Sequence, residues 1–592
     1  MQYKAPLRDM KFVMHELLKF EDHYKTIPSY AHTDKETIDS FIEAGASFSE
    51  AELSPLNRSG DEEGCRFENG NVYTPKGFKE AYKQYCELGF PSLCADEEFG
   101  GQGMPLSLGS AVNEMVGTAN WSFSMYPGLS EGAIRTLEHH GTDEQKQKYL
   151  LKLVSGEWTG TMCLTEPHAG TDLGIIKTKA VPNQDGSYNI TGTKIFITAG
   201  EHDLADNIIH LVLAKTPDAP AGSRGISLFI VPKFHVNADG SLGERNAVSC
   251  GSIEHKMGIK ASATCVMNFD GAKGFMVGAE NTGLASMFIM MNYERLTMGL
   301  QGIGGAELAY QNATAYTLDR IQGRADSGIQ EPNKAADPIV FHADVRRMLL
   351  NAKTISEASR CFAMYVAKEL DTNKYTDDDA ARKAADDRVA LLTPVAKAFL
   401  TDRGLEASID AQQCFGGHGY IREWGMEQIV RDTRISQIYE GTNGIQSLDL
   451  LGRKVVKNGG AFVTTYVQEM RDFANNMNAD HAIKQAILTS ADKLEDLTKA
   501  VVAAAAVNKD EINGCAVDYL QAFGYVSFAY MFGLMVEAAN GKEGDFYANK
   551  AKLADYYVGR MLPRLDAHIA MVKATSQPIT AFDRDYFAAT IA

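Results

Sequence analysis

The spacing of apolar residues over the first 160 positions is helical. In Met10–Phe20 and Glu144–Leu153, apolar side chains recur every three or four residues, which places them on one face of a helix. Polar turns such as Asn57–Gly64 and Phe99–Gly103 separate segments of this kind. The pattern predicts an N-terminal helical domain over residues 1–160.

The pattern changes between residues 161 and 280. Here the apolar runs are short, rich in Ile, Val and Phe, and bounded by Gly, Asn, Asp and Pro, which is typical of strands. The predicted strands are Ser187–Thr191, Ile208–Ala214, Gly225–Val231 and Thr264–Phe269. The sequence therefore predicts a β domain over residues 161–280 inside a helical protein.

Helical spacing returns after residue 281. A stretch with two Gly and two Pro, Gly323–Pro338, interrupts it and predicts a surface loop. The spacing predicts a helical bundle over residues 281–455 and a further helical domain over residues 456–592. The predicted bundle helices are Leu284–Arg320, Asp344–Leu370, Ala380–Gln413 and Gly425–Ile435.

The fold class is therefore mainly α with a central β domain. The longest apolar run, Ala522–Val536, ends at Glu537 and is too short to cross a bilayer, so it predicts a buried helix. We expect no insertion into a membrane.

Charge narrows the classes of function. Lys plus Arg is 58 and Asp plus Glu is 76, so the net charge of the 592 residues is −18, which repels phosphate backbones and anionic lipid. The composition argues against nucleic acid as a partner. An anionic ligand would need a local pocket of backbone N–H groups or arginines.

Cysteine usage indicates a reducing compartment. The nine cysteines are scattered and contain no C-x-x-C pair, so neither a disulfide framework nor a metal site is predicted. The first residues, MQYKAPLRDMKF, place charges where a signal peptide needs an apolar core. We expect a cytoplasmic protein.

Two segments of the β domain carry groups suited to a polar ring or a phosphate. CLTEPHAGTD, Cys163–Asp172, combines hydroxyls with free backbone N–H groups, although a turn with an Asx cap explains it equally well. KIFIT, Lys194–Thr198, places Phe196 and Thr198 on one face of a strand, and core packing is the alternative explanation for Phe196.

Two segments of the helical bundle carry further candidates. QCFGGHGY, Gln413–Tyr420, has glycines that let backbone approach a ligand, or that simply form a turn, and His418 is interpreted as structural. In QIYEGTNGIQ, Gln437–Gln446, Glu440 lies among apolar residues, where a raised pKa would suit a general base; a helix-capping Glu is the alternative.

These segments together resemble the acyl-CoA dehydrogenase family. CLTEPHAGTD, KIFIT, QCFGGHGY and RDTRISQIYEGT match it in order across about residues 40–455. The resemblance implies an α domain, a β domain and an α-helical bundle, and the whole chain is similar to a long bacterial subgroup with an extra C-terminal helical domain. It implies FAD-dependent conversion of an acyl-CoA to trans-2-enoyl-CoA in fatty acid β-oxidation, with medium- to long-chain substrates.

The resemblance also implies the site residues. Glu440 would be the catalytic base, Arg320 and Gln413 would reach the FAD of a partner subunit, and electron-transfer flavoprotein would re-oxidise the flavin. On the substrate side it implies Thr171, Glu294, Arg295 and Gly441. The implied FAD contacts are Met162, Cys163, Leu164, Thr165, Thr171, Phe196, Ile197, Thr198, Arg320, Gln413, Gly416, Gly417 and Thr442.

Several alternatives stay open. Glu294 occupies the position from which the base comes in some branches of the family, so two carboxylates are candidates; Glu294 with Arg295 is otherwise a neutralised pair. The substrate could instead be 3-methylmercaptopropionyl-CoA, or the enzyme could be an acyl-CoA oxidase. A DNA-binding relative is a remote alternative, disfavoured by the charge of −18.

We expect a homodimer in which the extension covers surface that tetrameric relatives use for pairing.

Overall fold

A computed structural model describes residues 2–589 and 591. The chain forms two compact units. The first contains the residues up to Ala5 and Ser40–Thr297, and the second contains Pro6–Asp39 and the chain from Met298 onward. The predicted four-part division at residues 160, 280 and 455 stays a prediction.

Helices make up most of the chain, which confirms the mainly α prediction. In chain order they are α1 (Leu7–Lys11), α2 (Phe20–Lys25), α3 (Lys35–Phe48), α4 (Ser54–Glu63), α5 (Phe78–Glu87), α6 (Leu106–Ala119), α7 (Trp121–His140), α8 (Asp143–Val154), α9 (Gly283–Asp319), α10 (Ala343–Tyr375), α11 (Asp379–Cys414), α12 (Met426–Arg434), α13 (Asn443–Leu448), α14 (Ala461–Asn476), α15 (Ile483–Val507), α16 (Asp510–Ala539), α17 (Asp545–Tyr556), α18 (Arg564–Lys573), α19 (Gln577–Thr580) and α20 (Arg584–Ala589).

The strands lie in the first unit. They are β1 (Arg66–Glu68), β2 (Asn71–Tyr73), β3 (Trp158–Cys163), β4 (Lys179–Pro182), β5 (Tyr188–Thr198), β6 (Asn207–Ala214), β7 (Ser227–Pro232), β8 (Phe234–Val236), β9 (Leu242–Arg245), β10 (Val248–Ile253) and β11 (Thr264–Val277). The main sheet has the order β3-β6-β7-β11-β5-β4, with β10 paired to β11.

Burial explains this order. Every residue of the neighbouring strands β6 and β7 is buried, so both lie inside the sheet, and their side chains are apolar except for Asn207, His210 and Ser227. The long strand β11 pairs with β7 through Phe275–Val277 and with β5 through Thr264–Gly274. β5, the strand that carries the KIFIT segment, is thus joined to the buried middle of the sheet through β11.

One predicted helix is interrupted. The apolar spacing over Met10–Phe20 predicts helical structure, and here α1 ends at Lys11 and passes into a π-helical turn, Phe12–Leu17. Lys19 then has a left-handed backbone with φ of 51°, and α2 starts at Phe20. The segment is thus helical as predicted apart from this break, which helical apolar spacing does not reveal.

The predicted buried helix is confirmed as part of α16. This helix has 30 residues, whereas the apolar run that predicts it, Ala522–Val536, has fifteen, so the run gives too short a length. In its most apolar window, 78% is buried inside the structure. Its partners include α15 and α18, within the second unit.

A cluster of buried charges ties distant parts of the second unit together. Lys550 of α17 contacts both Asp9 of α1 and Glu357 of α10, at 2.7 Å to the latter. Lys353 of α10 contacts the same two carboxylates, at 3.2 and 3.0 Å. Desolvation alone would raise the pKa of Asp9, but Lys353, Lys550 and Arg360 hold it well below its ordinary value.

We predict that Lys550→Met destabilises the second unit. Two carboxylates would stay buried and share one cation, so the free energy of unfolding should fall by about 3–5 kcal/mol. Urea unfolding followed by circular dichroism measures the change. Lys552→Met is the matched control, because Lys552 is exposed on the same helix, and it should change stability by less than about 0.5 kcal/mol. Equal effects of the two substitutions would contradict a role for the buried cluster.

Candidate active site

In the first unit, the loop that follows β3 is organised by one buried carboxylate. Glu166 accepts hydrogen bonds from the backbone N–H of Lys177 and of Thr178, at 2.7 and 3.0 Å, and from the Thr178 hydroxyl at 2.6 Å. Its own backbone pairs with Ala169 in both directions, at 2.9 and 3.0 Å. The CLTEPHAGTD segment is therefore a fixed loop, and its central carboxylate holds it from inside.

A fully buried lysine completes this arrangement. Lys194 of β5 donates to Glu166 Oε1 at 2.9 Å and to the carbonyl oxygen of Leu164 at 3.0 Å. Desolvation would raise the pKa of Glu166, but Lys194, the Thr178 hydroxyl and the Lys177 N–H hold it below its ordinary value. No role for this pair is predicted from the sequence, although both residues lie inside the matched motifs. The signal that could have revealed the pair is a lysine within an apolar strand.

β5 is irregular at the KIFIT segment. The register against β11 shifts between Cys265 and Met267, opposite Lys194–Ile197, and the N–H of Ile195 donates to the carbonyl oxygen of Thr165 at 2.9 Å. Phe196 has a left-handed backbone, with φ of 58°, and its side chain is 59% exposed. The structure therefore excludes core packing as the explanation of Phe196.

The other residues predicted around the flavin differ in how much of their side chains is exposed. Ile197 and Cys163 have buried side chains, so only their backbone groups remain to meet a ligand. Burial raises the pKa of the Cys163 thiol to about 12. Leu164 is also buried, Met162, Thr165 and Thr198 are half-buried, and Thr171 is exposed.

Glu294 and Arg295 also belong to the first unit. Both lie in the early part of α9 and both are buried, Glu294 with 2% of its surface exposed. The structure thus places the second candidate base in a more buried environment than Glu440, which is half-buried.

In the second unit, Glu440 stands at a sharp turn between α12 and α13. Its backbone is left-handed, with φ of 55°, and Gly441 follows with φ of 78°. A non-glycine residue in this region costs about 1–3 kcal/mol, and such residues concentrate at functional sites. A Cβ atom at position 441 would lie 2.6 Å from Gln446 Nε2, so the turn requires glycine there.

Glu440 is not the cap of α13. That cap is Thr442, whose hydroxyl accepts the N–H of Ile445 at 3.3 Å. The structure therefore excludes the helix-capping explanation for Glu440, and it shows a structural role for Thr442 beside its predicted place in the cofactor site.

Two side chains support the turn directly. Gln446 is fully buried, and its amide donates to the carbonyl oxygens of Glu440 and Gly441, at 3.1 and 3.3 Å. The hydroxyl of Tyr439 donates to Gln301 of α9 at 2.7 Å, and Gln301 in turn donates to the carbonyl oxygen of Asp432 at 2.9 Å. The turn is thus held through its backbone by Gln446 and through the Tyr439 side chain by Gln301.

The remaining candidates lie at the ends of α9 and α11. Arg320, Gln413, Gly416 and Gly417 are exposed, and a Cβ atom at either glycine would meet no atom within 4 Å. The two ends are joined by Tyr316 of α9, whose ring stacks on Phe415 at 4.1 Å.

His418 has a packing role at this junction. Its ring stacks on Trp424 at 4.5 Å, and its Nδ1 is 2.9 Å from the Tyr316 hydroxyl. Within the part of the chain that the structure describes, no group of three or more His, Cys, Asp or Glu could hold a metal ion.

Comparisons with known proteins agree with these segments. Family models match four consecutive stretches: the acyl-CoA dehydrogenase N-terminal domain over residues 35–157, its middle domain over 161–272, its C-terminal domain over 281–455, and an acetyl-CoA dehydrogenase C-terminal-like domain over 466–583. A 3-methylmercaptopropionyl-CoA dehydrogenase from Ruegeria pomeroyi is 39% identical over 98% of this chain and 99% of its own length. The chain belongs to the acyl-CoA dehydrogenase family.

Two further relatives extend the comparison. A broad-specificity linear acyl-CoA dehydrogenase from Mycobacterium tuberculosis is 30% identical over 99% of this chain and 100% of its own length. A solved acyl-CoA dehydrogenase from Bacillus anthracis shares the fold, with a TM-score of 0.73 and 22% identity over 93% of this chain and 90% of that chain. The chain is thus an oxidoreductase, an acyl-CoA dehydrogenase with the predicted fold.

The family is FAD-dependent, and the residues in the first unit fit a flavin. An aromatic side chain that is 59% exposed at the end of a strand, as Phe196 is, offers a flat apolar face for a ring system. Half-buried hydroxyls at Thr165 and Thr198 supply hydrogen-bonding groups in the same two segments. Membership of the family confirms FAD as the expected cofactor, and these side chains are compatible with it.

We predict that Lys194→Met loosens the loop after β3. It leaves Glu166 buried without its cation, so the free energy of unfolding should fall by about 3–5 kcal/mol and the flavin content of the purified protein should drop. Urea unfolding and the flavin absorbance per chain measure these effects. Lys177→Met is the control, because the side chain of Lys177 is exposed and only its backbone contacts Glu166.

The pH dependence of the free energy of unfolding should also change in Lys194→Met. Because the folded state lowers the pKa of Glu166, its stabilising contribution is present above the unfolded pKa and is lost as the pH falls through the folded one. Lys194→Met should therefore weaken this acid loss of stability. An unchanged pH profile of unfolding would contradict the assignment.

Proposed function

We propose that Glu440 is the base that removes the α-proton of an acyl-CoA thioester, and that the product is a trans-2-enoyl-CoA. The observation that carries this proposal is the half-buried carboxylate at a left-handed turn, where Gln446 bonds the backbone and Gln301 bonds the Tyr439 hydroxyl. A base whose position is fixed in this way starts close to its reactive geometry. FAD, when bound, supplies the acceptor for the hydride that leaves the β-carbon.

The chain's own residues then have separate tasks. The Glu440 carboxylate takes the proton, and its backbone N–H, as the family resemblance implies, donates to the thioester carbonyl oxygen and stabilises the developing negative charge. We place Gly441, Thr171 and Arg295 on the substrate side. Glu294 remains the competing carboxylate, and its stronger burial disfavours it as a base that must exchange protons with solvent.

We propose that the flavin contacts lie in or next to the four matched motifs and at Arg320. Met162–Thr165, Phe196–Thr198 and Thr442 would contact the ring and its surroundings. Arg320 and Gln413, with the Gly416–Gly417 backbone, would reach the pyrophosphate of a partner subunit's FAD. Their exposure supports this role, because a guanidinium left accessible in a protein of net charge −18 is a suitable phosphate ligand. The corresponding assembly is a homodimer.

The physiological role that we propose is fatty acid β-oxidation on medium- to long-chain substrates, with electron-transfer flavoprotein as acceptor. The second candidate substrate is 3-methylmercaptopropionyl-CoA, which the relative of 39% identity over nearly the whole chain favours. A panel of C4 to C18 thioesters with the methylthio substrate, compared by kcat/KM, decides between them. An oxidase would consume oxygen in the same assay without an added acceptor.

A cytoplasmic location remains part of the proposal. All nine cysteines are free thiols in the structure, which suits a reducing compartment.

We predict that Glu440→Gln keeps its flavin and loses turnover by several orders of magnitude, because an amide cannot accept the proton. Anaerobic addition of acyl-CoA should bleach the flavin band of the unchanged protein and leave that of the variant. Glu294→Gln is the matched comparison and should stay active. An inactive Glu294→Gln beside an active Glu440→Gln would assign the base to Glu294.

We predict that two inactive variants restore one another. Arg320→Ala should bind FAD about ten- to a hundredfold more weakly, since it loses a charge-assisted hydrogen bond. In a dimer of Arg320→Ala with Glu440→Gln, the site with an intact Glu440 receives Arg320 from the other chain. Activity at limiting FAD should therefore reappear when the chains are mixed and re-associated. Demonstrated mixing without recovery would mean that Arg320 serves its own subunit.

A further inference from the structure

A single carboxylate behind the Glu440 turn joins both of its ends. Asp402 of α11 accepts hydrogen bonds through Oδ1 from Gln437 Nε2 and from Asn443 Nδ2, each at 2.7 Å. Gln437 stands three residues before Glu440, and Asn443 stands three residues after it. Asp402 therefore fixes the start and the end of the segment that carries the proposed base.

Asn443 is held by further groups of α11. Its side-chain Oδ1 accepts from the fully buried Lys397 at 2.8 Å, and its Nδ2 also donates to the Thr401 hydroxyl at 3.0 Å. The position of Asn443, and with it the first residue of α13, is thus determined by three consecutive contacts along one face of α11.

The other oxygen of Asp402 contacts the C-terminal extension, residues 456–592. Gln521 of α16, which is 6% exposed, donates through Nε2 to Asp402 Oδ2 at 2.6 Å. The two residues are 119 positions apart in the chain. The extension thus contributes a hydrogen bond to the same carboxylate that holds the Glu440 turn.

The packing of α16 on α11 makes this contact stable. The ring of Phe399 meets Tyr525 and Phe528 at 5.1 and 4.9 Å between centroids. A Cβ atom at Gly524 would lie 2.3 Å from the Phe399 ring, so glycine permits this close approach. Beside this contact, Arg403, the residue after Asp402, donates to the hydroxyl of Tyr525, one helical turn after Gln521, at 2.9 Å.

We propose that Gln521 is a positioning residue for the reaction: through Asp402, the C-terminal extension fixes the geometry of the Glu440 turn. The inference rests on the proposed role of Glu440. A carboxylate with donors on both oxygens has one orientation, and an uncompensated oxygen would let Asp402 rotate. Gln437 and Asn443 would then move with it, and the strained backbone of Glu440 would relax.

The test compares Gln521→Met with two matched controls. Met keeps the length and volume of the side chain but removes the donor. Tyr525→Phe removes a neighbouring hydrogen bond between the same two helices without touching Asp402. Gln468→Met removes an exposed amide of α14 that donates to Asp472, elsewhere in the extension.

Two readouts are needed. Hydrogen–deuterium exchange of the peptide spanning residues 437–446 reports the turn itself, and it requires no activity. The rate of flavin reduction by an acyl-CoA, with KM measured beside kcat, reports the position of the base. A general loss of folding would lower both the FAD content and the free energy of unfolding, so both are measured as well.

We expect Gln521→Met to speed exchange in the 437–446 peptide and to lower kcat about ten- to a hundredfold, the scale expected when a catalytic group is displaced by about 1 Å. KM and FAD content should change less than twofold, and both controls should behave like the unchanged protein. Unaltered exchange in Gln521→Met, or equal loosening by Tyr525→Phe, would overturn the proposal. If no acyl-CoA thioester reduced the flavin of the unchanged protein, the proposed function would fall, and the exchange data would still judge the positioning role.

Discussion

The structure depends on holding two non-glycine residues in left-handed backbone, one in each unit. Phe196 and Glu440 have φ of 58° and 55°. This backbone conformation is unfavourable for residues other than glycine, so the surrounding structure must hold it in place. Each is presented by a segment that a buried or half-buried carboxylate organises from behind. Glu166 holds the loop that pairs with the strand of Phe196, and Asp402 holds both ends of the turn of Glu440. In both places neighbouring residues make the hydrogen bonds that maintain the left-handed backbone.

Much of this could be predicted from the sequence. Helical and strand periodicity located the long helices and the buried strands, because their apolar faces recur at a fixed period over many residues. The motifs located the segments that carry Phe196 and Glu440. Both segments were therefore predicted as candidate parts of the site, and the roles of their residues stay predictions.

What could not be predicted depends on contacts between distant positions. The pair of Lys194 with Glu166 is separated by 28 residues, and the pair of Gln521 with Asp402 by 119. Neither has a local periodicity, because a single hydrogen bond leaves no repeated pattern. The bulge at Phe196 and the break at Lys19 could not be predicted for a related reason. A residue other than glycine with left-handed backbone has no reliable signal in the amino-acid composition.

The same reasoning changes the status of the C-terminal extension. Three acidic groups, Asp9, Glu307 and Glu357, meet three basic groups, Lys353, Arg360 and Lys550, so the buried cluster is locally neutral within a chain of net charge −18. Buried ion pairs add little net stability over apolar packing, but losing one member leaves a buried charge uncompensated. Lys550 belongs to the extension and Asp9 to the first helix, so neither segment can leave without that penalty. With Gln521 donating to Asp402, the extension is therefore part of the second unit's core, because the electrostatic balance and the geometry of the Glu440 turn both require it.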